Sequence, residues 1–117
     1  MKYMMLIVGD EERWAAGGED ERRQLYERIV GWWNGEEAAG RIIEGHELEP
    51  SATATTVRID DHGRATVTDG PFLEGKEVVG GYAILDVEDL DAALALASQW
   101  PVPGDALEVR PIVQRDG

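Results

Sequence analysis

A chain of 117 residues with 24 acidic and 11 basic side chains carries a formal charge of −13. That length suits one domain, spanning residues 1–117, and allows a real core without covalent staples. With no cysteine, disulfides, thiolate metal sites and thiol nucleophiles are excluded, and a cytoplasmic compartment is expected. The acidic excess repels phosphate backbones and anionic membranes, so neither nucleic acid nor membrane is expected as a partner.

In chain order, Lys2–Val8 (KYMMLIV) is a short apolar run and reads as a buried strand. It is far too short to span a bilayer. Gly9–Gly18 reads as a charged loop with Trp14 as its large apolar residue. Glu19–Ala39 reads as a helix: Leu25, Ile29, Trp32 and Ala39 share one face, and Gly40 suits the position after its last turn. Trp33 lies off that stripe and is expected to meet a partner chain.

Arg41–Leu48 reads as a strand ended by Pro50. Thr53–Ile59 and Arg64–Thr68 alternate and are β-branched, and Asp60-Asp61-His62-Gly63 between them is a hairpin signal. Val78–Val87 is a further strand interrupted by Gly80-Gly81, with Tyr82 and Ile84 on one face and Ala83 and Leu85 on the other. The glycine pair implies either a close approach or a bulge that re-aims Tyr82. Glu88–Gln99 reads as a helix whose apolar stripe is Leu90, Ala93, Leu94 and Ala97, capped by Asp86. Leu107–Val113 is the last strand, and Pro111 places it at a sheet edge.

The order is β-α-β, a hairpin, then β-α-β. Without the hairpin this is the α+β, ferredoxin-like βαββαβ arrangement, an antiparallel sheet with helices on one face. The other face is left open, and an open apolar face on so small a unit predicts a homodimer.

The stretch Thr66–Tyr82 (TVTDGPFLEGKEVVGGY), with the start KYMMLIVGDEERW and the end ALEVRPIV, resembles the YCII-related family in its DGPF-motif branch. The resemblance implies a dimeric α+β barrel of two ferredoxin-like units. Wider YCII relatives carry a His–Asp pair with the histidine on the first helix. Here the matching stretch Arg22–Val30 (RRQLYERIV) has none, so that pair is not carried over. DGPF-branch relatives are often associated with sigma factors.

The residues themselves offer several candidates. Asp69 ends a strand and begins a turn; it reads either as an Asx-turn acceptor for the next N–H groups or as a general base. His46 is the better placed of the two histidines for proton transfer, since His62 sits at a hairpin tip. Lys76 and Glu77 read as a pocket rim able to hold an anion and move a proton, or as exposed loop charges. Tyr82 offers a phenol beside a glycine gap. Arg110 alternates with Glu108 and reads either as part of a dimer seam or as a reader of a substrate carboxylate. Thus Asp69 and His46 are the catalytic candidates, and Lys76, Glu77, Tyr82 and Arg110 the substrate-binding ones. The DGPF turn is expected to aim its charges at the mouth of a cavity between sheet and helix. The two histidines lack metal-ligand spacing, and neither a GxGxxG nor a P-loop pattern occurs, so no metal or cofactor is expected.

Two function classes follow. One is a dimeric small-molecule-binding protein or cofactor-independent acid/base enzyme with a small anionic ligand. The other is a non-enzymatic interaction module, accessory to a sigma-factor or stress regulator and without direct DNA contact.

Overall fold

The computed structural model describes residues 1–115. Its elements are β1 (Lys2–Asp10), α1 (Glu11–Ala16), α2 (Glu19–Ala38), β2 (Ile42–Glu47), β3 (Thr55–Ile59), β4 (Ala65–Asp69), β5 (Glu77–Asp86), α3 (Leu90–Ala97) and β6 (Ala106–Pro111), with a short 3-10 turn at Ser51–Thr53. The result is an α+β architecture of two antiparallel sheets and three α-helices. One sheet has four strands in the order β2-β5-β1-β6, and the hairpin β3-β4 forms a sheet of its own. Pro111 does fall on an edge strand. No helix is long and apolar enough to cross a membrane among the described residues.

Alternation along the strands sets the two faces of the main sheet. Tyr3 and Met5 of β1 and Ala83 and Leu85 of β5 are buried against Ala93, Leu96 and Ala97 of α3. Ile7, Leu107, Val109, Trp32 and Trp33 pack around this cluster. Met4, Leu6, Tyr82 and Ile84 point to the opposite, open face, where they are half-buried.

Several local readings are corrected. The span after β1 is not wholly loop: Asp10 accepts N–H bonds from Glu12 and Arg13 at 2.9 and 3.1 Å and starts α1. Arg22 then ties α1 to α2 by donating to the carbonyl oxygens of Ala15 and Gly17. The cap of α3 is Asp89, through the Ala92 N–H, rather than Asp86. Leu90 and Leu94 are exposed and Leu96 is buried instead, because the helix packs on the sheet through Ala93, Leu96 and Ala97. Gly40 after α2 and Gly63 in the hairpin turn both have positive φ, +80° and +81°, as their positions require.

Candidate functional site

A hollow of about 1130 Å³ lies between α2 and the helix-facing side of the sheet. Two glycines make its floor. A side chain on Gly45 of β2 would collide with the Trp33 indole and the Tyr82 carbonyl. One on Gly81 of β5 would lie 3.0 Å from the His46 carbonyl oxygen. Gly80 is bypassed at an irregularity in the pairing, where Ile7 faces Gly81 but Val8 faces Val79. The glycine pair therefore serves both expected purposes, a bulge and a close approach.

α2 forms the roof. It is amphipathic, yet none of its residues is fully buried; Leu25, Ile29 and Trp33 reach down only partway and leave the cleft below them. A chain of edge-to-face indoles anchors the helix. Trp32 meets Trp33 at 6.4 Å and Trp100 at 5.6 Å between ring centroids. The Trp100 N–H donates to Asp105 at 2.9 Å, and Asp105 pairs with Arg13 at 2.8 Å. Trp33 thus faces the cleft and packs against the core of its own chain.

At the mouth, the Tyr26 hydroxyl on α2 donates to the Glu47 carboxylate on β2 at 2.8 Å, across the gap between helix and sheet. That bond, with the neighbouring negative charge, raises the Tyr26 pKa above its ordinary value. Glu11 on α1 accepts from the Ser51 N–H at 2.9 Å and from the Ser51 hydroxyl. These two bonds hold its carboxyl below the usual range. Neither Tyr26 nor Glu47 stood out in the sequence. The pairing bridges 21 positions, and no local pattern announces it.

Of the sequence candidates, only His46 also borders this cleft, through its position between Gly45 and Glu47. His46, Tyr82 and Arg110 come together on the open face of the sheet. One row across the strands reads His46, Tyr82, Leu6, Glu108. The next reads Glu44, Ile84, Met4, Arg110. The His46 and Tyr82 rings are 5.8 Å apart. Each row has an apolar centre and polar ends.

Asp69 closes β4 opposite Thr55 and is exposed, and its carboxylate accepts no hydrogen bond among the described residues, so it is not the Asx-turn acceptor that the sequence suggested. The hairpin base is held by the backbone instead. Gly70 N–H donates to the Ala54 carbonyl at 2.7 Å, and the Thr56 hydroxyl donates to the Gly70 carbonyl at 2.7 Å. Lys76 is exposed just ahead of β5. Glu77 opens β5 opposite Asp10 and borders a second, shallower hollow of about 520 Å³ with Pro71 and Leu73. The DGPF turn therefore does not aim its charges at the helix–sheet cleft. Asp69 and Lys76 line neither hollow, and the turn projects its proline and leucine toward the smaller one. No group of three or more His, Asp or Glu side chains with metal-binding geometry occurs among the described residues.

A protein of Rhizobium meliloti (strain 1021), itself uncharacterised, is 31% identical over 116 residues, spanning 96% of this chain and 92% of that protein. The YCII-related domain family matches residues 1–115. The chain therefore belongs to the YCII-related domain family.

Proposed function

We propose that the protein is a homodimeric small-molecule-binding protein of the DGPF branch, with its ligand in the helix–sheet cleft and its main sheet forming half of a dimeric, ferredoxin-like α+β barrel. The observation that carries the ligand reading is the cleft of about 1130 Å³ over a floor kept bare by Gly45 and Gly81. Ligand cavities typically measure about 300–1,000 Å³ and combine apolar walls with a few convergent polar groups. The walls here are Ile7, Leu25, Ile29 and Trp33, and the polar groups at the mouth are Tyr26 and Glu47. Any proton movement in the cleft falls to that pair, Glu47 accepting and Tyr26 donating.

Three observations support the dimer. The radius of gyration is 16.4 Å, against about 13 Å for a compact chain of this length. The β3-β4 hairpin exposes Val57, Ile59 and Val67, and a lone two-stranded hairpin is marginally stable in water. The rows on the open face are complementary end to end. A two-fold axis along the strands sets each Glu44 against Arg110 of the partner subunit, and each His46 against Glu108 of the partner subunit. In this assembly His46, Tyr82 and Arg110 line the barrel interior.

A small-molecule fragment screen by protein NMR tests the ligand reading. Hits are expected to move the Gly45 and Gly81 amides and the Trp33 indole N–H. Hits confined to the hairpin, or none at millimolar concentration, overturn it. Hairpin-only hits would favour a module that works through protein contacts, for which the exposed Val57, Ile59 and Val67 are the favouring observation.

A further inference from the structure

We propose that the helix–sheet cleft selects a small cationic ligand, an aromatic or alkyl amine or ammonium compound, and not an anion. This inference rests on the cleft being a ligand site and assigns the sign of its occupant.

The cleft's charges are unevenly matched. Six carboxylates line it, those of Asp10, Glu11, Glu21, Glu47, Glu49 and Asp105. Three guanidiniums line it, those of Arg13, Arg22 and Arg28. Groups of both signs are partly engaged. Arg13 is paired with Asp105 at 2.8 Å, and Arg22 is directed at the carbonyls of Ala15 and Gly17 in the α1–α2 corner. Asp10 caps α1, Glu11 holds Ser51, and Asp105 holds Arg13 and Trp100. Among the described residues, Glu21, Glu49 and one oxygen of Glu47 therefore stand against Arg28. Glu47 gives only one of its oxygens to Tyr26, so the other is free to accept from a ligand N–H. A carboxylate accepts at both oxygens without rearrangement.

The walls fit the same charge. Trp14, Tyr26, Trp33 and Trp100 all line the cleft, and ring faces attract a cation through their quadrupole. Four aromatic side chains with a surplus of carboxylates at the mouth form the environment that recognises ammonium groups. The groups with which the sequence reading held an anion, Lys76 and Arg110, do not border this cleft. The formal charge of −13 over the whole chain adds a long-range field of the same sign.

A series of similar size tests the charge: benzylammonium, benzyl alcohol and benzoate, titrated while the Gly45 and Gly81 amides and the Trp33 indole N–H are followed by NMR. The ammonium compound is expected to bind about tenfold tighter than benzoate at low salt, a ratio within the reach of one or two cation–π and ion contacts. Glu47→Gln is expected to cut that preference about threefold, because it keeps the shape and an acceptor for Tyr26 but removes one charge. Benzoate binding at these positions as tightly as the ammonium compound, or an unchanged preference in both Glu47→Gln and Glu21→Gln, overturns the assignment of sign and leaves the cleft as a ligand site. No shift at these positions with any of the three compounds overturns the cleft itself.

Discussion

Trp33 lies directly over Gly45, in the space that a side chain on that residue would need. The contact joins α2 to β2 and decides two things at once. It lets the helix approach the sheet edge, and it leaves the cleft floor flat beneath the indole. Gly45→Ala must push against both Trp33 and the Tyr82 carbonyl, and the second belongs to the backbone of β5. Overpacking of this kind typically costs about 1–3 kcal/mol. For a domain of this size that lowers the melting temperature by roughly 4–12 °C. Calorimetry checks it, and a melting temperature within a degree of the parent chain would refute the close packing. Trp33→Leu is expected to rescue only part of the loss, since the Tyr82 carbonyl stays in place.

The Tyr26–Glu47 bond predicts a delayed phenol titration. Ionising Tyr26 creates a second negative charge beside Glu47 and destroys the donor, so its folded pKa is raised above the ordinary 10.0. A raised value stabilises the fold fully below the unfolded pKa, and the contribution is lost as pH rises through the folded one. Ultraviolet difference spectra should show Tyr26 ionising later than free tyrosine. Glu47→Gln should bring it back toward the ordinary value, because the acceptor persists and the charge does not. A Tyr26 titration unaffected by Glu47→Gln removes the bond from the account.

At the other rim the sign reverses. Glu11 is held below its ordinary 4.5 by the two Ser51 donors. A depressed carboxyl contributes stability fully above the unfolded value, and that contribution fades as pH falls from there through the folded value. Carboxyl NMR titration should place Glu11 below 4.5, and Ser51→Ala should raise it. A Glu11 that titrates at or above the free value would show that α1 is not tied to the turn at Ser51. Because Glu11 is only partly buried, the effect on overall stability is small.

The fold was legible where local patterning and burial agree. β2, β5 and the hairpin follow from β-branched alternation and turn residues, and Pro111 marked its own edge. Signals failed where a few residues compete. The short helix α1 looked like a charged loop because its six residues show no apolar stripe, and only the Asp10 cap betrays it. In α3, Leu90, Leu94 and Leu96 are equally apolar, and only packing on the sheet decides which is buried. The candidate site was harder still. Gly45, Trp33, Tyr26 and Glu47 are brought together by the crossing of α2 over β2, a tertiary event without a sequence period. The motif that drew the eye, Asp69-Gly70-Pro71-Phe72, shapes the hairpin base.

The dimer reading makes the most discriminating prediction. In a two-fold assembly every interface charge appears twice, so one reversed residue alters two contacts. Arg110→Glu would set two like-charged pairs with Glu44 of the partner subunit where two opposite-charged ones stood. A partly exposed pair is worth up to about 1 kcal/mol. Turning both from attraction to repulsion should therefore weaken self-association by tenfold or more. The double variant Glu44→Arg/Arg110→Glu restores opposite charges in exchanged positions and should recover most of the affinity. Sedimentation equilibrium reads all three proteins, and raising the salt should narrow the gap between them, because screening acts on both signs alike. If Arg110→Glu associates as tightly as the parent chain, or the double variant no better than the single one, the two sheet edges do not face each other. The open face would then need another arrangement to cover Met4, Leu6 and Ile84.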